Sequence, residues 1–449
     1  INMPFLKSNN INYIYFFLFL LIFIFFIKTL FFIFFNWYRA AFLRYLVSDV
    51  SQSLYNKYLS QNYSFHLERS SSTLMRNSYQ TVNSFVTGYV DAILLYITQG
   101  LILLGILGFL LFIEPFTTII IIFFFLTISI FFLKFSKKTL LKIGKERTIY
   151  EGFKMKLIQQ GLGGAKEIKL LGKEESFFLK FKNVNNFIAR FSIIEDLIRT
   201  SPKLIFEFFA VVAICLLVIS LFIFNKENQL ILPILAVFAA AGFRIIPSLN
   251  GIMLAQTKLR ANYYVIDIIS KDLSLKTIKN NIKKNINLDE IQLKNKINIS
   301  GLYFNYKTSK KNILNNLNFN IEINKTTGVI GKSGSGKTTL IDLILGLLDP
   351  KKGSIKIDNI DLKDVKREWQ KSIGYVSQDI FLSDETLKEN IALGENENEI
   401  NQENLNYAIK LSKINEFVDD LPDGIETNIG TRGIKLSGGQ RQRIGIARA

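Results

Sequence analysis

The chain has 449 residues, 49% of them hydrophobic, with 40 Phe and a formal net charge of +18. At roughly 100–200 residues per domain this length accommodates two to four domains, and so many apolar side chains exclude an intrinsically disordered chain. Residues 1–250 carry 25 basic and 13 acidic side chains, residues 251–300 carry 9 and 4, and residues 301–449 carry 21 and 20. The excess therefore accompanies apolar segments rather than a soluble face, which argues against a nucleic-acid binder and for a membrane protein. The one cysteine, Cys215, lies inside an apolar run, so no intrachain disulfide can form.

A helix needs about 20 mainly apolar residues to cross a bilayer. The qualifying segments run from about Ile11 to Phe35, Ala92 to Ile113, Phe116 to Phe135, Leu204 to Phe224 and Leu230 to about Ile246. The first is too long for a signal peptide and has no basic start; Lys28 within it is expected to snorkel or face other helices. Segment 36–87 holds Arg39, Arg44, Lys57, Arg69 and Arg76, and segment 136–202 holds a run from Lys137, Lys138, Lys142, Lys145 and Arg147 to Arg199. Positive-inside logic places both in the cytoplasm and the short links Glu114-Pro115 and Asn225–Gln229 outside. Five spans before a cytoplasmic C-terminal half leave residue 1 outside, and this parity predicts an earlier span, giving six. Helical spacing after Asp49 and from Ile168 to Phe187 predicts that the spans continue into the cytosol. The polar stretches Ser70–Tyr79 and Gly161–Lys173 are expected to form the turns between them.

Two ionisable residues lie inside the late spans, Glu207 and Arg244. A charge within a membrane is costly unless it faces a polar cavity or a partner. Either they line a substrate path, with Arg244 meeting an anionic headgroup, or they pair with each other or snorkel at a span end.

Beyond Tyr264 the sequence turns rich in Lys, Asn and Ile, a polar connector. From Ile297 it changes to short strands, Ile297–Tyr306, Ile313–Ile323 and Thr326–Ile330, as in a phosphate-binding α/β domain. The loop that follows is Gly331, Lys332, Ser333, Gly334, Ser335, Gly336, Lys337 and Thr338, with Thr339 next. It fits G-x-x-x-x-G-K-[ST], in which glycines let backbone N–H groups cradle phosphates. The helix expected over Lys337–Leu348 points its positive end at them. Lys337 would reach the β/γ-phosphates and Thr338 would ligate Mg2+. Tyr306 can stack on a base or simply fill the strand. Gln378 ends the apolar run from Ile373 and can reach Mg2+ or an attacking water, or can be a polar strand end. A second anion site is predicted at Leu436, Ser437, Gly438, Gly439 and Gln440, where Ser-Gly-Gly opens a basic helix.

Together these motifs resemble the ATP-binding cassette transporter family. Gly331–Thr338 matches its Walker A loop, Gln378 its Q-loop, Leu436–Gln440 its signature and Tyr306 its adenine-stacking aromatic. The resemblance implies a multidomain fold: an α-helical polytopic membrane domain of exporter type followed by an α/β P-loop cassette that is C-terminally truncated. The expected division is a transmembrane domain over residues 1–265, a linker over 266–296 and a cassette over 297–449. It also implies ATP and Mg2+ as cofactors, an ATPase coupled to transport, and a homodimer in which each ATP lies between Walker A of one copy and the signature of the other. Ser70–Tyr79 and Gly161–Lys173 then resemble coupling helices. The implied location is a bacterial inner membrane, with the bilayer, a second copy and an amphipathic or lipid-linked anionic substrate as partners, and no nucleic acid.

A narrower resemblance, to PglK-type lipid-linked oligosaccharide flippases, rests on Lys166–Glu175 and Phe243–Ser248. Two departures count against a complete match. The family's Walker B strand, catalytic Glu, D-loop and switch His are all expected after Ala449, and the only histidine, His66, lies in the first cytoplasmic segment. Thr431 stands where an acidic residue is usual before the signature. An ATP-gated channel, a nucleotide-binding membrane regulator, and a lipid, peptide or drug exporter are the alternatives.

Overall fold

The computed structural model describes residues 10–223, 228–276, 294–307 and 311–449. It divides into two compact units, one of residues 1–61 and 65–278, the other of residues 62–64 and 279–449.

The first unit is helical. Its elements are α1 (Asn10–Leu59), α2 (Tyr63–Glu68), α3 (Ser71–Arg76), α4 (Asp91–Ile113), α5 (Pro115–Gly163), α6 (Ala165–Leu170), α7 (Glu174–Ile223), α8 (Asn228–Ala261) and α9 (Tyr263–Leu273). At 1.5 Å per residue the 50-residue α1 is about 75 Å long, far more than a bilayer core of about 30 Å. Among the described residues, Tyr15–Leu59, Ser71–Ile113, Thr118–Gly163 and Ala236–Ala261 form four helices long and apolar enough to cross a membrane. The expected segment Leu204–Phe224 is helical to Ile223 at the end of α7; residue 224, residues 225–227 of the following link and residues 277–293 lie outside the described residues. Pro115 opens α5, where a missing N–H costs nothing because the first turn has no intrahelical acceptor for it.

Two cores hold this unit. One lies among α4, α5, α7 and α8, where Leu110, Phe125, Phe206, Phe238, Leu249 and Met253 are buried. The rings of Phe124 and Phe209 meet edge to face with centroids 5.4 Å apart. The other gathers Leu54, Tyr58, Val82, Val86, Val265 and Ile269 from α1, the α3–α4 stretch and α9. Asp91, the first residue of α4, receives Arg39 of α1 and, at 3.4 Å, Lys258 of α8.

The first turn between the long helices falls earlier than the expected Ser70–Tyr79. Helix α1 ends at Leu59, α2 occupies the turn, and Ser70 is the extended residue from which α3 starts. The chain then runs through two π-helical stretches, Asn77–Thr81 and Ser84–Val90, into α4. Polarity misled here because Ser72, Asn77 and Thr81 are buried rather than solvated. The second turn lies where expected: α5 ends at Gly163, α6 follows, and α7 starts at Glu174.

The second unit contains β1 (Lys296–Phe304), β2 (Leu314–Glu322), α10 (Lys337–Ile344), β3 (Lys352–Ile357), β4 (Ile360–Asp361), α11 (Lys366–Lys371), α12 (Leu387–Ile391), α13 (Gln402–Leu411), α14 (Asn415–Val418) and α15 (Gly438–Arg448). The sheet is antiparallel in the order β2-β1-β3-β4, with Ile297 opposite both Ile321 and Ile357. Alternate residues Ile297 and Ile299, then Leu302 and Phe304, point into a core that α10 closes with Leu340 and Leu343. A separate core of Leu382, Leu387, Leu405, Ile414, Phe417 and Ile444 unites α12 to α15. The expected strand Thr326–Ile330 and the apolar run Ile373–Ser377 form no ladder among the described residues. Strand assignment needs a hydrogen-bonded neighbour; here the apolar side chains of Ile330 and Val376 remain exposed instead.

Candidate functional site

The loop Gly331–Thr338 leads from the unladdered segment Thr326–Ile330 into α10. Its backbone turns through left-handed conformations at Gly334 (φ 76°) and Gly336 (φ 95°). A β-carbon at Gly336 would stand 2.8 Å from Ile313 Cγ2, so both backbone and space demand glycine. Gly336 is the N-cap of α10, and no side chain caps this helix. Its first N–H groups and positive dipole end are therefore directed at whatever the loop holds. Lys337 folds back over the loop, its Nζ donating to the carbonyls of Gly331 at 2.7 Å and Lys332 at 3.0 Å. Lys332, Ser333, Gly334, Ser335 and Thr338 are exposed, whereas Thr339 is buried.

Tyr306 joins this group from the end of β1. Its ring lies edge-on to Phe304 with centroids 5.1 Å apart, and its hydroxyl is 3.2 Å from Thr339 Oγ1. Sequence reasoning placed Tyr306 at a strand end but gave no sign of the link to Thr339. Gln378 is exposed, in the connector between Ile373, which packs on the sheet core, and Ile380, which packs on the second core. The hydroxyl of Thr338 and the amide oxygen of Gln378 are hard donors, the type that suits Mg2+.

Leu436 is buried in the second core and anchors the other motif. Ser437 is the N-cap of α15 in a full capping box: its Oγ accepts from Gln440 N at 3.3 Å, and Gln440 Oε1 accepts from Ser437 N at 2.8 Å. The spacing Ser-x-x-Gln announces this box, a signal that sequence reasoning overlooked. Gly438 and Gly439 are exposed and lie in the first turn, where helical N–H groups have no intrahelical acceptors. At the far end Arg448 fastens α15 by donating to the carbonyls of Asn390 and Phe381. The two phosphate-type helix ends thus stand on two different cores.

In the membrane unit, Glu207 lines a cavity of about 300 Å³ with Phe125, Ala210 and Phe238 among its walls. Among the described residues it pairs with Lys203, at 3.9 Å one turn earlier. Arg244 lines a different cavity of about 420 Å³, with Gly105, Phe109 and Ala241. Glu207 and Arg244 do not pair with each other.

Comparison with known proteins places both halves. The family described as "ABC transporter transmembrane region" matches residues 2–240, and that described as "ABC transporter" matches residues 314–449. A stretch of 154 residues is 42% identical to the Arabidopsis thaliana protein "ABC transporter B family member 29, chloroplastic", covering 34% of this chain and 24% of the relative. A stretch of 160 residues is 40% identical to the "ATP-dependent lipid A-core flippase" of Coxiella burnetii, covering 35% of this chain and 27% of the relative. The match thus spans about a quarter of the length of these relatives. The protein of the same name from Vibrio vulnificus is 25% identical over 406 residues, 90% of this chain and 68% of its own. Among solved structures, "Structure of a bacterial Atm1-family ABC exporter with ATP bound" superposes with a TM-score of 0.77 at 18% identity, covering 91% of this chain and 71% of that one. This last likeness is one of fold.

Proposed function

This chain belongs to the ABC transporter family, a helical transmembrane domain followed by an ATP-binding cassette, and on that premise we propose that it forms half of an ATP-driven lipid exporter or flippase. The observation that carries the reading is the pair of anion-binding helix ends, at Gly336–Lys337 and Ser437–Gly439, seated on separate cores of one cassette. Two such ends on independent supports suit a nucleotide clamped between two copies better than one enclosed by a single copy.

In this reading Gly331–Thr339 cradles the phosphates, with Lys337 on the β/γ-phosphates and Thr338 and Gln378 holding Mg2+. The metal would supply charge neutralisation at the phosphates. Tyr306 stacks on adenine. Leu436, Ser437, Gly438, Gly439 and Gln440 close on the ATP of the partner copy. We assign residues 1–265 to the transmembrane domain, 266–296 to the linker and 297–449 to the cassette. Binding closes the cassettes, and the α5–α6–α7 turn, which leaves Leu162, Leu170 and Leu171 exposed, receives that motion.

The cargo proposed is an amphipathic, lipid-linked anionic glycan in the bacterial inner membrane. Relatives named as lipid A-core flippases and the Arg244 cavity both support it. Among the described residues Arg244 has no ion-pair partner, and a guanidinium beside apolar walls suits a phosphate-bearing headgroup. The test is ATP-dependent flipping of a polyprenyl-pyrophosphate glycan by the full-length protein in vesicles. Flipping that falls in Arg244→Ala supports the assignment; undiminished flipping in that variant removes the headgroup role, and none in the unsubstituted protein removes the cargo.

A further inference from the structure

The last turn of α9 ends in a buried acid. Asp272 is 3% exposed, although Lys271 beside it and Leu275 shortly after it belong to a polar, Lys-rich stretch. Its carboxylate receives donors from three separate elements. Tyr58 Oη of α1 donates to Oδ2 at 2.6 Å, and Asn77 Nδ2, at the start of the first π-helical stretch, donates to the same oxygen at 2.9 Å. Arg69, in the link between α2 and α3, donates to Oδ1 at 2.8 Å. All three neighbours present donors, so the position calls for a group that only accepts. An amide of the same shape would turn N–H groups toward a donor, and Arg69 would lose its counter-ion.

The surroundings extend this junction in two directions. Phe65 stacks on Tyr58 with centroids 6.0 Å apart and lies 4.7 Å below the guanidinium of Arg69, so both donors are held from one ring. Toward the C-terminal end of α9, Lys57 Nζ donates to the carbonyls of Leu273 at 2.5 Å and Leu275 at 2.9 Å, and Gln61 Nε2 donates to that of Lys276 at 3.0 Å. The Leu273 carbonyl is one that a helix end leaves without an intrahelical donor, and the other two lie just past the helix. Toward the membrane, Asn77 Oδ1 accepts from Arg76 at 2.7 Å, and Arg76 in turn donates to Thr148 O of α5 at 3.1 Å.

We infer that Asp272 is a positioning residue that clasps the end of α9 to the first cytoplasmic turn, so that α1, α3 and α9 move as one block. The inference rests on the transporter reading. In sequence the cassette follows this block, so a pull on residues beyond 276 would reach the bases of α1 and α3 through the Asp272 node together with the Lys57 and Gln61 bonds to the carbonyls at and beyond the end of α9. A hydrogen-bonded node of discrete geometry suits this task, because packed junctions shift as units rather than deform gradually.

The test uses the full-length protein in vesicles on a Cys215→Ser background, with Asp272→Asn as the isosteric variant and Tyr58→Phe as a milder one. Spin labels at Tyr55→Cys and Lys271→Cys, both exposed, carried by one copy of each dimer through dilution with unlabelled protein, report the α1–α9 separation. A clasp predicts one narrow distance, identical with and without ATP, that broadens in Asp272→Asn. It also predicts ATP affinity within about twofold of the unsubstituted protein, with ATP-driven cargo movement reduced about tenfold. Tyr58→Phe should show a smaller loss in the same direction. A distance that changes with ATP, or unimpaired movement in Asp272→Asn, overturns the proposal. Because the distance is read without cargo, failure of transport in the unsubstituted protein would overturn the transporter reading and with it the relay, while the labels still decide whether the block is rigid.

Discussion

Lys337 shows how the loop proposed to hold the nucleotide is organised by its own backbone. Its ammonium bridges the carbonyls of Gly331 and Lys332, holding the charge above the loop. A charge-assisted hydrogen bond contributes about 1.5–3 kcal/mol, so Lys337→Met should weaken ATP binding by about 10- to 100-fold, measurable with a fluorescent ATP analogue. Gly336→Ala should do at least as much damage, because the left-handed φ and the contact with Ile313 both oppose a β-carbon. Unchanged affinity in either variant would remove the loop from the nucleotide site. These residues were legible in the sequence because glycine at fixed spacing records a backbone requirement. Asp272 was not, since an isolated acid in a Lys-rich stretch resembles solvated surface until Tyr58, Arg69 and Asn77 converge on it.

At the scale of elements, caps decide where the cassette's pieces begin. Thr386 and Glu389 form the same reciprocal box at α12 that Ser437 and Gln440 form at α15, and the Glu389 carboxyl is held below the usual range by the Thr386 backbone N–H and then its hydroxyl. Asp358 does similar work for β1, accepting from the N–H groups of Lys294, Asn295 and Lys296 at 2.9 Å each. The Lys294 N–H first of all, joined by those of Lys296 and Asn295, holds the Asp358 carboxyl below the ordinary range against the opposing effect of burial. A carboxyl whose folded value is depressed stabilises fully above its unfolded value, near ~3.9, and loses that contribution as pH falls through the folded value. Asp358→Ala should therefore lower the cassette's melting temperature at pH 7, and the difference from the unsubstituted protein should shrink as pH drops below ~4. A difference that grows on acidification would contradict this role.

Elements also show where sequence reasoning stops. Strands β1 and β2 were legible from alternation, but Thr326–Ile330 has the composition of a strand without a ladder, because pairing is a property of neighbours. The π-helical stretches Asn77–Thr81 and Ser84–Val90 leave no periodic signature, since each adds one residue to a turn within an otherwise helical run.

At the scale of the whole molecule, the Phe-rich runs were enough to mark out helices long and apolar enough to cross a membrane. The two phosphate motifs were enough to indicate the family. Whether a second copy completes the ATP site is a question of assembly rather than of one chain's sequence. The most direct test of the central claim mixes two defective forms of the full-length protein, Lys337→Met and Ser437→Arg, each inactive as a homodimer. In a mixed dimer one composite site carries both defects and the other carries neither. With random pairing of a two-fold dimer, sites shared between copies predict ATP hydrolysis restored to about a quarter of the unsubstituted level. No restoration, with mixed dimers shown to be present, would mean that each chain builds its ATP site alone and would contradict the account.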